Sequence, residues 1–163
     1  MFDEYIWSQK YRPHTLEDIV LTDEHRAFFR DLITQQQIPN LMLSGNPGVG
    51  KTTLAKILVS ELKADHLYIN ASDETGIDTI RSKVIGFSET RSLAGGIKIV
   101  ILDEADGMSG VVASGRASAQ QALRNVMEEY SETTRFILTA NYPSKIIPAL
   151  HSRCQHIDLI PPL

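Results

Sequence analysis

"SGNPGVGKTTLAK", Ser44 to Lys56, sets glycines at positions 45, 48 and 50 directly ahead of Lys51-Thr52-Thr53. An apolar run, Leu41–Leu43, precedes it, and Leu54, Ile57, Leu58 and Leu62 follow at helical spacing. The stretch therefore reads as strand, loop, helix. Gly45-Asn46-Pro47-Gly48-Val49-Gly50-Lys51-Thr52 matches the phosphate-loop pattern position for position. Glycines let the backbone curl its N–H groups around one phosphate, and the N-terminus of the next helix adds positive charge. Lys51 is expected to reach the β- and γ-phosphates and the Thr52 hydroxyl to ligate Mg²⁺, with Thr53 completing the binding set. A glycine-rich turn that binds nothing is the alternative, and it leaves the lysine, the hydroxyl and the context unexplained. The loop is expected to hold a nucleoside triphosphate.

Working outward, further apolar runs at Leu67–Ile69, Ile97–Leu102, Phe136–Thr139 and His156–Ile160 read as buried strands. Between them, Ile77, Ile80, Val84 and Phe87 fall at helix spacing, as do Ala122, Leu123, Val126, Met127 and Tyr130. Strands alternating with helices imply a three-layer α/β domain with a five-stranded, mainly parallel sheet. Upstream, Phe28, Phe29, Leu32 and Ile33 predict one more helix with Thr22 as its cap, and Thr15–Asp18 looks like a capping box. Pro13 keeps residues 9–15 extended. The whole chain, 1–163, is one domain: an N-terminal arm and helix over 1–40 and the α/β sheet over 41–163.

Composition excludes several classes. Apolar residues make up 42% and charged residues 22%, ordinary for a globular protein. No apolar run is long enough to cross a bilayer, and the start carries acids without a secretory apolar core. One cysteine, Cys154, forms no internal disulfide and suits a reducing cytoplasm. A net charge of −4 argues against a wholly basic surface, yet leaves room for a local basic patch on nucleic acid.

"IKIVILDEAD" ends a strand in Asp103, at the carboxyl edge where such sheets bind ligands, so Asp103 is a metal candidate beside Thr52. Glu104 is placed to orient and deprotonate an attacking water, the other reading being a simple helix cap. Asn141, after "FILTA", could bond the γ-phosphate or the lytic water, or it could merely open the turn before Pro143. Following the two phosphate-site motifs, the first reading leads. Arg153, in "HSRCQH", is either a solvated surface residue or an arginine finger, which contributes on the order of 10³–10⁵ in rate.

"QKYRP", "GNPGVGKTT", "INASDETGIDTIR", "LDEAD", "QQALRNVMEEYSETTRFILTANY" and "SKIIPALHSRC" run in the order found in the AAA+ sliding-clamp loaders. The chain resembles the small subunits of replication factor C and the large clamp-loader subunit of T-even-type phages. "NASDE" together with "SRC" is far more selective than the Walker motifs alone. The resemblance implies a RecA-like P-loop NTPase core that binds ATP and Mg²⁺ and couples hydrolysis to opening and loading a clamp on primed DNA. It implies that Tyr11, Arg12 and Pro13 line the adenine, and that Lys51, Glu104 and Asn141 act on the chain's own nucleotide. Arg153 would act on the next subunit's. Gly76, Ile77 and Arg81 would face template DNA; a helix opening at Gly76 has free N–H groups for a phosphate, while Arg81 could equally snorkel beside the apolar stripe.

Implied partners are the other clamp-loader subunits, the sliding clamp and primer–template DNA, without a membrane. The implied setting is a cytoplasmic replication machinery, cellular or phage-borne. Two departures stand out. Thr75 sits where relatives often carry a basic residue, and Gly107–Ser118 is longer and richer in glycine and serine. That segment is either a mobile loop near DNA through Arg116 or an inert connection. The lid and collar that follow such a core in the family would begin near Pro161-Pro162-Leu163. The chain is therefore expected to be a fragment or the first part of a split subunit, with weak nucleotide binding and slow turnover by itself. Two other functions fit parts of the pattern: another AAA+ DNA motor, for branch migration or helicase loading, and a non-hydrolysing ATP-binding assembly subunit.

Overall fold

The computed structural model describes residues 15–73, 76–90, 92, 96–108 and 118–159. Five strands, β1 (Leu41–Ser44), β2 (Asp65–Asn70), β3 (Lys98–Asp103), β4 (Thr134–Ala140) and β5 (Gln155–Asp158), form one sheet in the order β2-β3-β4-β1-β5. Every pairing is parallel. Five helices accompany them: α1 (Asp23–Gln35), α2 (Lys51–Glu61), α3 (Ile77–Glu89), α4 (Ala119–Glu129) and the single-turn α5 (Pro148–His151).

Alternation along the central strands builds a core on each face. Leu41, Leu43, Ile99, Ile101 and Ile137 turn one way, onto Phe29 of α1 and Leu54 and Leu58 of α2. Met42, Val100, Leu102, Phe136 and Leu138 turn the other way, onto Ile80 and Val84 of α3, Leu123, Val126 and Met127 of α4, and Leu150 of α5. Both faces being covered explains why these strands read as unbroken apolar runs. This is the expected three-layer domain.

The predicted caps form. The Thr22 hydroxyl accepts from the His25 N–H at 3.2 Å at the start of α1, and the Thr15 N–H donates to Asp18 Oδ2 at 3.2 Å. Arg26 ties that turn down by donating to the carbonyls of Leu16 (2.7 Å) and Ile19 (2.8 Å).

Boundaries shift where strands are exposed. β2 starts at Asp65 rather than Leu67, because Asp65 and the outward His66 of this edge strand carry no apolar signal. β5 begins one residue earlier than read and, among the described residues, pairs with β1 alone; Ile160, its expected end, lies outside the described residues, as do the N-terminal arm, Thr75 and Arg116. Among the described residues no helix is long and apolar enough to cross a membrane.

Candidate nucleotide site

Strand order decides what meets at the carboxyl edge. β4 lies between β1 and β3, so the loop after β1, Asn141 after β4, and Asp103 with Glu104 at the end of β3 converge. They share an open cavity of about 290 Å³ lined by Pro47, Gly48 and Gly50, by Lys51, Thr52 and Thr53, and by Asp103, Glu104, Thr139 and Asn141. The remaining loop residues shape it from behind. Gly45 has φ 150°, and a Cβ there would come within 2.9 Å of the Leu159 carbonyl oxygen, so only glycine fits. Asn46 is exposed and its carbonyl closes the turn by accepting from the Val49 N–H at 3.3 Å. Gly50, at φ 92°, opens α2.

Lys51 is buried, and its Nζ donates to the carbonyls of Gly45 (2.8 Å) and Asn46 (3.0 Å). Burial lowers its pKa, and the nearby Asp103, Asp106 and Glu104 carboxylates offset part of that. Asp103 accepts three hydroxyls: Thr52 (2.7 Å) and Thr139 (2.5 Å) on Oδ1, and Tyr68 (2.6 Å) on Oδ2. Burial pushes the Asp103 pKa upward, but the Thr139, Tyr68 and Thr52 hydroxyls together outweigh it and the net shift is downward. A hydroxyl and an ionised carboxylate side by side at a phosphate loop are hard oxygen donors of the kind that suit Mg²⁺, which takes few protein ligands and completes its shell with phosphate and water. Among the described residues no group of three or more His, Cys, Asp or Glu side chains is placed to hold a metal ion.

Glu104 is exposed and left-handed at φ 54°; its N–H donates to Thr139 Oγ1 at 3.0 Å. Its carboxylate accepts the Ser72 hydroxyl. Ser72 Oγ also lies 2.7 Å from Asn70 Oδ1, which receives the Ser72 N–H at 3.0 Å as well, so the one hydroxyl proton is shared between the Asn70 amide oxygen and the Glu104 carboxylate. Glu104 stands at the head of the Ala105–Gly107 turn but caps none of its N–H groups with its side chain. The turn after β4 is pinned by Asp106, whose Oδ2 accepts from the N–H groups of Asn141 (3.1 Å) and Tyr142 (2.9 Å).

Other predicted residues lie elsewhere. Gly76 (φ 140°) opens α3, with Ile77 half-buried and Arg81 exposed, and none of the three lines the cavity. Arg153 is exposed between α5 and β5, away from the cavity, and pairs with Glu128 of α4, which also takes Arg124 at 3.3 Å. Tyr11, Arg12 and Pro13 fall outside the described residues. Thr139, Tyr68, Ser72 and Asp106 were missed; each contacts the site across strands, and no spacing in the sequence announces that.

A model of the ATPase family associated with various cellular activities (AAA) matches residues 41–162. The chain belongs to the AAA family. This AAA domain is 49% identical over 157 residues to the replication factor C small subunit of Staphylothermus marinus, which covers 93% of the chain and 46% of that protein. It is 42% identical over 154 residues to the replication factor C small subunit of Methanococcus vannielii, covering 91% and 47%. The chain thus spans about half the length of the curated relatives it matches. Among solved structures, the Thermotoga maritima RuvB Holliday junction branch migration motor superposes with a TM-score of 0.69 at 20% identity, over 91% of this chain and 48% of that one. At that identity the likeness speaks for the shared P-loop α/β fold alone.

Proposed function

We propose that this AAA domain binds ATP with Mg²⁺ at the carboxyl edge of its sheet and hydrolyses it, as the nucleotide-binding core of a clamp-loader subunit of the replication factor C type. The observation that carries this is the 2.7 Å contact of the Thr52 hydroxyl with Asp103, with Glu104 next in chain and Asn141 on the same cavity.

In this reading Lys51 exchanges the loop carbonyls for the β- and γ-phosphates, and the loop amides with the start of α2 bind the phosphate oxygens. Thr52 and Asp103 would hold Mg²⁺, which supplies charge neutralisation on the phosphates. Glu104 leaves Ser72 and takes the proton of the attacking water, while Asn141 orients that water or the γ-phosphate. Tyr11, Arg12 and Pro13 cover the adenine. Arg153 releases Glu128 and serves the nucleotide of a neighbouring subunit, and the start of α3, with Gly76, Ile77 and Arg81, meets primer–template DNA. The clamp and the other loader subunits are the partners. The extent of identity to replication factor C small subunits supports this assembly over a branch-migration motor.

The test is thermal melting with and without millimolar Mg-ATP, followed by ATP turnover in the presence of clamp and primed DNA. A melting shift lost in Lys51→Ala, and turnover lost in Glu104→Gln with that shift retained, are the expected results. A wild-type chain indifferent to Mg-ATP overturns the reading.

A further inference from the structure

Thr139 lies buried near the carboxyl end of β4, and its one hydroxyl meets both acids that follow β3. Oγ1 donates to Asp103 Oδ1 at 2.5 Å and accepts the Glu104 N–H at 3.0 Å. Chemistry fixes the order of this bridge. A backbone N–H only donates and an ionised carboxylate only accepts, so the hydroxyl proton goes to Asp103 and a lone pair to Glu104. Asp103 has two further donors, Thr52 and Tyr68. The paired register of β3 and β4 ends at Leu102 and Leu138, so at Glu104 a side-chain hydroxyl stands where a strand carbonyl would.

Glu104 sits at φ 54° and ψ 48°, left-handed backbone that a residue with a side chain keeps only where its surroundings enforce it. That turn takes the chain off the line of β3 and leaves Glu104 on the cavity wall with Asn141. Asn141 is two residues past Thr139, and its N–H returns to Asp106 Oδ2 at 3.1 Å. The exits of β3 and β4 are thus stapled in both directions, by a β4 hydroxyl on the Glu104 backbone and by the Asp106 carboxylate on the Asn141 backbone. We propose that Thr139 is a positioning residue for hydrolysis: its hydroxyl locks the Glu104 backbone in the left-handed turn and so holds the carboxylate toward the attacking water, at a fixed spacing from Asn141. It rests on the reading of Glu104 as the base given above. Ser72 grips the far end of the same side chain and must let go for turnover. Thr139 grips the backbone and stays engaged throughout.

The experiment compares wild type, Thr139→Val and Thr139→Ser in three measurements: affinity for a fluorescent ATP analogue with Mg²⁺, turnover with clamp and primed DNA, and exchange of the Glu104 amide hydrogen by NMR. Valine keeps the branched shape and loses the hydroxyl, whereas serine keeps the hydroxyl. In Thr139→Val the affinity is expected to hold while kcat falls on the order of 10²-fold, the cost of misplacing a reacting group by about 1 Å. Thr139→Ser is expected to recover most of that loss. In a Glu104→Gln background, read by single-turnover hydrolysis, Thr139→Val is expected to add nothing, because the two residues act as one unit. An unchanged kcat, an affinity that falls in step with kcat, or a full further loss on top of Glu104→Gln overturns the inference and leaves the nucleotide site standing. So does a wild-type Glu104 amide that exchanges as fast as an unbonded one, a result that requires no variant to fold. A wild-type chain indifferent to Mg-ATP overturns the parent reading instead.

Discussion

At the scale of single residues, the site is a set of hydroxyls arranged around two acids. Ser72 holds the Glu104 carboxylate, so for Glu104 to reach a water costs that bond, about 1 kcal/mol. Ser72→Ala should raise kcat by about fivefold at saturating Mg-ATP without changing nucleotide affinity; a drop in kcat would show that Ser72 instead holds Glu104 in its working position. Asp103 makes a second prediction. Its native pKa lies below the ordinary 3.8, so it contributes stability that is present above that value and lost as pH falls through the lower native one. Between pH 5 and 3, denaturant melts of wild type should lose stability more steeply than those of Asp103→Asn. Lys51, Thr52, Asp103 and Glu104 were legible in the sequence because a loop or a strand end fixes their neighbours in chain. Thr139, Tyr68 and Ser72 were not, since a hydroxyl on a strand carries no sign of which carboxylate it will face until the strand order is known.

At the scale of elements, the connection after β3 is as constrained as the phosphate loop. Gly107 packs on Ser72 so closely that a Cβ would lie 2.8 Å from the Ser72 Cβ and 3.2 Å from its Cα. Something must shift to admit it, and where Ser72 yields, its hydroxyl is expected to lose its contact with Glu104. Gly107→Ala is therefore expected to reproduce the turnover gain of Ser72→Ala and to add about 1–3 kcal/mol of destabilisation from overpacking, measured by urea denaturation. If turnover stays at the wild-type level while stability falls, the turn moves instead of Ser72. None of this was visible beforehand: Gly107 reads as one more glycine in a glycine- and serine-rich segment. Helices α1 to α4 were legible because each buries one apolar stripe, whereas α5 and the Ala105–Gly107 turn are too short to show a period. Edge strands betray only their buried half, which is why β2 began earlier than its apolar run.

At the scale of the whole molecule, alternating strands and helices were enough for the three layers, but the order β2-β3-β4-β1-β5 was not contained in any local pattern. That order hangs the nucleotide loop on the edge strand β5: the Leu159 N–H donates to the Ser44 carbonyl at 2.8 Å, and the Leu159 carbonyl closes on Gly45. Cys154, just before β5, packs against the core beneath α3 to α5, and burial pushes its thiol up from 9.0 to about 12. That shift cuts the thiolate population near pH 8 by about a thousandfold in this half-buried thiol, so labelling by a thiol reagent is expected to run mainly through the opened fold. If opening frees β5 together with the loop it supports, Mg-ATP at about a hundred times its Kd should slow labelling by about a further hundredfold, because only the closed form binds. The measurement is the labelling rate at pH 8 across a Mg-ATP titration, with Lys51→Ala as the chain that nucleotide cannot protect. A rate independent of nucleotide in the wild type would mean that the α5–β5 turn opens alone, and that the edge strand is not coupled to the phosphate loop.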